Sequence, residues 1–208
     1  MRLLITAGPT REPIDAVRFI SNRSSGQLGL SLVTAALAQK HSVTAILGSV
    51  AFDLPAGAVR IDVETTAQMH DAVLREFSAH DMLIMAAAPA DFRPKQIFEG
   101  KMPRSGSLTL ELEATDDIVA AASAIRRSDQ RTIAFSLEAE GNLDRARAKL
   151  LRKRVDMIVY NPIQTMNSAE IQAALLYADG RSETLPRLSK ADFAGLLLDR
   201  AAALLANP

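Results

Sequence analysis

Short apolar runs alternate with amphipathic segments along most of the chain. The runs predict strands covered on both faces, and the amphipathic segments predict helices. The predicted strands are residues 2–7, 43–47, 59–63, 82–87, 108–112, 132–137 and 155–160. The predicted helices are residues 26–39, 67–77, 116–127, 143–154 and 190–205. Strands 174–178 and 182–185 predict a β-hairpin that turns at Asp179-Gly180.

This alternation predicts an α/β fold with a parallel sheet between two layers of helices. We expect one domain over residues 1–208, with ligands bound at the carboxyl ends of the strands. Residues 88–106 break the rhythm with Pro89, Pro94 and Pro103 and two glycines. This segment, called the flap below, is too long for an ordinary connection in a compact domain, and we expect it to be functional.

The composition narrows the class of protein. The 208 residues are 48% hydrophobic, and 24 basic residues balance 24 acidic ones. This balance argues against a protein that binds nucleic acid or an anionic membrane through its overall charge. The chain has no cysteine, which excludes disulfides, zinc thiolates and a cysteine nucleophile. No apolar run has the length of a membrane span, so we expect a soluble, cytoplasmic protein.

The loop after the first strand carries the strongest chemical signal. Gly8 ends the strand, and Ser24, Ser25 and Gly26 precede the first helix. Free N–H groups at a helix N-terminus favour an anion, and a glycine lets the backbone approach it closely. These residues therefore predict a phosphate site, although simple capping by the two serines explains the pattern equally well. The loop is neither a Walker A motif nor a complete GxGxxG motif.

Asn22 and Asp91 are candidates for substrate contacts. The amide of Asn22 could donate to an oxyanion, although asparagine beside a turn also serves simply as a turn former. Asp91 ends the small-residue segment Ala86–Asp91, where alanines leave room for a ring or a sugar. Its carboxylate could hold ribose hydroxyls or a metal ion, but it could equally be solvated.

Three lysines are candidates for phosphate contacts. Lys101 lies in the flap, and a loop lysine can close over a triphosphate. Lys149 and Lys153 share one face of a basic helix. Each of these lysines could also be a solvent-exposed charge that contacts no ligand. The three histidines have no metal-ligand spacing, and no metal ligand is predicted.

The stretch Thr6-Ala-Gly-Pro-Thr-Arg-Glu-Pro, followed by Asp15, Val17-Arg18-Phe-Ile-Ser-Asn22 and Ser24-Ser25-Gly26, resembles the phosphopantothenate–cysteine ligases. These include the ligase half of the bifunctional bacterial coenzyme A enzyme. The resemblance covers essentially the whole chain and implies a Rossmann-like fold. It implies catalytic roles for Asn22 and Lys101 and substrate contacts for Arg18 and Asn22. The nucleotide- or phosphate-binding residues that it implies are Gly8, Ser24, Ser25, Gly26, Ala87, Asp91, Phe135, Lys149 and Lys153.

The family reaction needs no protein nucleophile. A carboxylate attacks the α-phosphate of a nucleoside triphosphate, and the amine of cysteine then attacks the acyl nucleotide. The resemblance implies CTP, with ATP as the alternative, together with Mg²⁺. It also implies a homodimer and a separate flavin-dependent decarboxylase, since the family's decarboxylase half is absent.

Departures from the family pattern leave other functions open. The family's run of three lysines in the flap survives only as Lys101, with Pro103 and Arg104 at the other two places, and Pro162 follows Asn161. One alternative is a ligase with a different acid substrate. Another is a non-catalytic nucleotide-binding subunit. A third, an NAD(P)-dependent reductase, conflicts with the incomplete glycine motif.

Overall fold

The computed structural model describes residues 1–104, 106–138, 143–165 and 168–206. The strands are β1 (Arg2–Ala7), β2 (Arg11–Pro13), β3 (Phe19–Ser21), β4 (Ser42–Leu47), β5 (Ala58–Asp62), β6 (Met82–Met85), β7 (Phe92–Pro94), β8 (Leu112–Ala114), β9 (Arg131–Glu138), β10 (Met157–Pro162), β11 (Glu170–Ile171), β12 (Ala174–Tyr177), β13 (Ser182–Thr184) and β14 (Leu188–Ser189). The helices are α1 (Gln27–Ala38), α2 (Thr66–Phe77), α3 (Ile118–Ile125), α4 (Leu143–Lys153) and α5 (Lys190–Ala206), and a 3₁₀ turn covers Ile163–Thr165.

Within the described residues, eight strands form the main sheet in the order β13-β12-β10-β9-β6-β1-β4-β5. The six strands from β10 to β5 are parallel, which gives the doubly wound Rossmann order. The order reverses between β1 and β6. The loops that follow these two strands therefore flank the point where such sheets bind ligands. The predicted Rossmann-like α/β fold is confirmed.

The side-chain alternation of β1 shows how the layers are built. Leu3 and Ile5 face a core shared with α1 and α5, whereas Leu4 faces a core shared with α2, α3 and α4. All three side chains are completely buried. The continuous apolar runs thus reflect strands covered on both faces, as their sequence predicts.

The predicted C-terminal hairpin is present and extends the main sheet. β12 pairs antiparallel with β10 and with β13, and Gly180 occupies the turn at φ +90°. Arg200 of α5 donates two hydrogen bonds to Glu183 of β13, at 2.8 and 2.7 Å. These bonds tie the edge strand to the last helix.

The prediction of a strand over residues 108–112 is wrong. The strand that forms is β8, which starts at Leu112, after the end of the flap. It pairs with β7, which lies within the flap. Leu108 and Leu112 are both exposed, so the alternation of apolar residues in this segment does not correspond to a buried face. The length of β8 follows instead from its short partner, which ends at Pro94.

A short antiparallel ribbon is absent from the predicted elements. It consists of β2 and β3, and we call residues 11–21 the ribbon. Its tip, residues 14–18, carries hydrogen bonds to the flap: the Phe98 N–H donates to the Ile14 carbonyl at 3.0 Å. Polar side chains and Pro13 make its sequence resemble an irregular loop.

Candidate active site

The loop after β1 opens the N-terminus of α1 to a cavity. Gly26 is the N-cap at φ +74°, and no side chain among the described residues caps the helix. Ser24 accepts a hydrogen bond from the Gly26 N–H instead, at 3.3 Å. The interpretation of Ser24 and Ser25 as helix caps is therefore wrong, and the first amides of α1 remain available to an anion.

Close backbone packing explains the glycines of this loop. A Cβ on Gly26 would lie 2.7 Å from Val50 Cγ1 and 3.2 Å from Gly8 Cα. A Cβ on Gly8, at φ +81°, would lie 2.4 Å from the same Val50 atom. A side chain at either position would displace the loop from the carboxyl end of β1.

The first cavity has a volume of about 520 Å³ and lies above the layer of α1 and α5. Its wall combines the helix N-terminus with small residues after β6 and with apolar side chains from β9 and β11. The residues that line it are Asn22, Arg23, Ser24, Ser25, Gly26, Gln27, Leu28, Gly29, Ala86, Ala87, Ala88, Asp91, Phe135, Leu137, Asn161, Ile171 and Lys190.

A second cavity, of about 400 Å³, lies above α3 and α4. It is lined by three basic residues of α4, namely Lys149, Arg152 and Lys153, and by the polar start of α3. The two cavities share Ala87, Asp91 and Phe135, so they adjoin at the carboxyl edge of β6 and β9. Of the other predicted nucleotide residues, Ser24, Ser25 and Gly26 line the first cavity, Lys149 and Lys153 line the second, and Gly8 lines neither.

The lysines of the second cavity are paired with carboxylates. Lys149 Nζ lies 2.5 Å from Glu138 Oε1, and Lys153 Nζ lies 3.0 Å from Asp117 Oδ1. Burial opposes ionisation of Glu138, but hydrogen bonds from Lys149 and Ser136 outweigh it and lower its pKa below the ordinary value. The ammonium groups are therefore held in place at the cavity wall.

Asn22 fastens the segment after β6. Its side-chain Nδ2 donates to the carbonyl oxygens of Ala88 at 3.1 Å and Pro89 at 2.8 Å. The Ala88 N–H donates to the Gly8 carbonyl at 2.9 Å, and the Ala90 N–H donates to Thr10 Oγ1 at 2.8 Å. The loops after β1 and β6 are thus joined into one wall of the first cavity.

Lys101 and Arg18 lie outside both cavities. Lys101 is exposed. Arg18 pairs with Asp15 and donates to the carbonyl oxygen of Met102 in the flap, at 2.9 Å. The structure therefore does not bring these two residues to Asn22 and Asp91, and their predicted roles require movement of the flap or a second chain.

The sequence pattern did not reveal Lys190, which lines the first cavity at the start of α5. Burial lowers the pKa of this lysine. A lysine at a helix start has no motif around it, and only the return of α5 to the sheet places it near Asn161. Among the described residues, no group of three or more acidic or histidine side chains could by itself hold a metal ion.

The strand order and the two adjoining cavities define a class: a doubly wound α/β domain with a candidate ligand site at its switch point. Within that class, the family model of the DNA/pantothenate metabolism flavoprotein C-terminal domain matches residues 1–205. The chain belongs to this family.

Curated relatives share this domain. The chain is 40% identical over 196 residues to the coenzyme A biosynthesis bifunctional protein CoaBC of Vibrio cholerae, covering 91% of this chain and 49% of the relative. It is 39% identical over 209 residues to the Bacillus subtilis protein of the same name, covering 97% of this chain and 51% of the relative. The chain thus spans about half the length of these relatives.

A solved structure has the same fold. The crystal structure of the C-terminal domain of the coenzyme A biosynthesis bifunctional protein CoaBC superposes with a TM-score of 0.87 and 32% identity. The match covers 100% of this chain and 96% of that one. No helix in the described part of the chain combines the length and apolarity needed to cross a membrane.

Proposed function

We propose that the chain catalyses the nucleoside-triphosphate-dependent ligation of 4′-phosphopantothenate to cysteine, a step of coenzyme A biosynthesis. The observation that carries this proposal is the pair of cavities joined through Ala87, Asp91 and Phe135. A reaction through an acyl nucleotide needs an acid and a nucleotide bound side by side. The bifunctional coenzyme A biosynthesis proteins among the relatives support the choice of substrates.

The charges of the two cavities suggest which substrate each one takes. We assign the nucleotide to the second cavity, where Arg152 and the carboxylate-paired ammonium groups of Lys149 and Lys153 provide donors for a triphosphate. We assign 4′-phosphopantothenate to the first cavity, where the uncapped N-terminus of α1 suits its phosphate. The carboxylate end of the acid then meets the α-phosphate near Asp91.

The protein's contribution is alignment and charge stabilisation. The acid carboxylate attacks the α-phosphate and pyrophosphate leaves; the cysteine amine then attacks the acyl carbon and the nucleoside monophosphate leaves. We propose CTP as the nucleotide, with ATP as the alternative, because the resemblance is to the bacterial ligases. Mg²⁺ would be held mainly by the nucleotide phosphates, with Asp91, which lines both cavities, as a candidate ligand, and would neutralise part of their charge.

The direct test is incubation with CTP, 4′-phosphopantothenate and cysteine, with pyrophosphate release and the amide product as readouts. We expect both products, and a lower rate when ATP replaces CTP. A non-catalytic subunit would bind nucleotide without releasing pyrophosphate. A ligase with another acid substrate would release pyrophosphate only when 4′-phosphopantothenate is replaced.

We also propose a homodimer that pairs through the ribbon and the flap. Exposed apolar side chains concentrate there, and we take a second copy as the surface that covers them. The patch comprises Val17, Phe19, Phe92, Ile97 and Phe98. Light scattering should give the dimer mass at micromolar concentration, and Phe19→Asp should give the monomer mass. A wild-type monomer with full activity would contradict the proposal.

The next step for the product leads to two further proposals. 4′-Phosphopantothenoylcysteine, the product, is the substrate of a flavin-dependent decarboxylase, and we propose that a separate protein or segment supplies that activity. We place both steps in the cytoplasm. Mixing the chain with such a decarboxylase should yield the decarboxylated product from CTP, 4′-phosphopantothenate and cysteine.

A further inference from the structure

Asp15 is a buried carboxylate at the tip of the ribbon. Its side chain is 0% exposed, although it lies in a turn between two short strands. Oδ1 accepts the backbone N–H groups of Val17 and Arg18, both at 2.8 Å. Oδ2 accepts from Arg18 Nε at 2.9 Å and from the Met102 N–H at 3.0 Å. One carboxylate therefore organises the turn and reaches 87 residues along the chain.

The same turn holds the flap on both sides of Lys101. The Ala16 N–H donates to the Gly100 carbonyl at 3.0 Å. Arg18 donates to the Met102 carbonyl at 2.9 Å. The backbone is thus fixed immediately before and immediately after Lys101, while the lysine side chain itself is exposed.

Electrostatics favour the charged form of Asp15. The hydrogen bond from Arg18 holds the pKa of this carboxyl well below its ordinary value, with further help from the Val17, Arg18 and Met102 amides. The bonds to Asp15 are therefore charge-assisted, and such bonds are stronger than those between neutral groups. An asparagine at this position could not accept from all of these donors, because its amide nitrogen accepts no hydrogen bond.

The ribbon connects this anchor to the candidate active site. β3 (Phe19–Ser21) leads from Arg18 directly to Asn22, which lines the first cavity. At roughly 3.3 Å per residue, the four steps from Arg18 to Asn22 span about 13 Å. Lys101 itself lines neither cavity, so the position of the flap determines whether it can meet a substrate.

We propose that Asp15 is a positioning residue that anchors the flap through Met102 and so determines where Lys101 is presented to the substrates. The proposal rests on the ligase function proposed above and on the role of Lys101 in it. Gly100 adjoins the anchor at φ +69°, and a Cβ there would meet no atom within 4 Å. Glycine adopts this positive φ at no steric cost, so it lets the flap backbone turn beside the anchor.

The test compares Asp15→Asn with a matched control, Asp179→Asn. Asp179 also accepts from a backbone N–H two residues ahead and from an arginine, both of Arg181, but it lies in the distant hairpin. The first readout is trypsin cleavage of the bond after Lys101, followed by mass spectrometry of the purified full chain. This readout requires no catalytic activity, so it separates failure of the anchor from failure of the proposed function.

We expect Asp15→Asn to speed cleavage after Lys101 by about tenfold or more, since loss of the anchor releases the local backbone. Asp179→Asn should leave cleavage at this bond unchanged. Lys101→Gln removes the trypsin site and identifies the fragment. Equal cleavage rates for the wild type and both aspartate variants would overturn the anchor.

The second readout is kinetic. We expect Asp15→Asn to lower kcat by about tenfold with a smaller change in KM for the nucleotide, because the loss acts on presentation of Lys101. In the double variant with Lys101→Gln, Asp15→Asn should add nothing further, since both changes remove the same contribution. Additive losses, or a raised kcat, would overturn the proposal. Arg18→Lys, which keeps the charge, should restore part of what Arg18→Gln loses if Asp15→Asn proves too unstable to assay.

Discussion

Asn22 Nδ2 lies 2.8 Å from the carbonyl oxygen of Pro89, so the residue expected to contact an acyl oxygen already joins two loops. The same nitrogen also donates to the Ala88 carbonyl at 3.1 Å. Asn22 can act on a substrate with this nitrogen only by releasing a loop contact. Its structural contribution and its proposed catalytic contribution must therefore be separated by choice of variant.

The first prediction compares Asn22→Asp with Asn22→Ala. The aspartate places negative charge against two carbonyl oxygens and beside a developing oxyanion, whereas alanine only removes the donors. We expect Asn22→Asp to lower kcat/KM by an amount that corresponds to a loss of about 2–4 kcal/mol of transition-state stabilisation. Asn22→Ala should lose less. Gln39→Glu, an amide-to-carboxylate change at the far end of α1, serves as the control. Activity of Asn22→Asp within about threefold of wild type would remove Asn22 from the mechanism.

The second prediction concerns the flap charge. Lys101→Gln keeps the length of the side chain and removes its ammonium. We expect kcat to fall by about tenfold or more with a smaller change in KM for the nucleotide, because the contact matters most as charge develops. Lys95→Gln is the control, since Lys95 lies in the same flap and pairs with Glu111 at 3.5 Å. Equal turnover of Lys101→Gln and wild type would make Lys101 a solvated loop lysine.

The sequence was sufficient to predict the main sheet because five of its six parallel strands are largely buried, whereas β5 at the sheet edge is partly exposed. Runs such as Leu3–Ile5 carry that burial in their composition. The ribbon was not predicted because individual contacts with residues far away in the sequence stabilise it. Glu12 accepts the Thr66 N–H across 54 residues at 2.7 Å, and Asp15 reaches Met102 across 87. Such pairs leave no periodicity in the local sequence.

The division of the candidate site also lies beyond sequence reasoning. Ser25 and Lys149 both follow the rule that ligands bind at the carboxyl edge, yet they line different cavities. Which cavity a residue lines depends on the face of the sheet that its helix covers. That choice follows from the topology as a whole, whereas residue type and spacing indicate only the edge.

The third prediction uses two helical glycines as a matched pair. A Cβ on Gly29 of α1 would lie 2.2 Å from Ala7 Cβ in β1, whereas a Cβ on Gly195 of α5 would meet nothing within 4 Å. Gly29→Ala should therefore destabilise the fold by about 1–3 kcal/mol through overpacking, despite the better helix propensity of alanine. Gly195→Ala should stabilise it by up to about 1 kcal/mol. Urea unfolding of both variants measures the difference, and a gain for Gly29→Ala would show that α1 can shift away from β1 without cost.

The fourth prediction concerns the pH dependence of the edge hairpin. Hydrogen bonds from Arg200 hold the pKa of Glu183 below its ordinary value of 4.5, although burial opposes this shift. A carboxyl whose pKa is lower in the folded state than in the unfolded state stabilises the fold while it is ionised. This stabilisation is complete above pH 4.5 and is lost as the pH falls through the lower folded value.

Glu183→Gln isolates this contribution, since glutamine keeps the shape of the side chain and does not titrate. We expect the variant to have a lower Tm than wild type between pH 6 and 8, where the Arg200 pair is intact in the wild type. The two Tm values should converge as the pH falls below 4.5, because protonation then removes the same pair from the wild type. Glu170→Gln is the control: Glu170 meets Arg187 at 3.7 Å with both side chains more than half exposed, so its removal should change Tm little at any pH. A Tm difference for Glu183→Gln that persists unchanged to low pH would show that the glutamine packs poorly and that the ion pair does not hold the hairpin to α5.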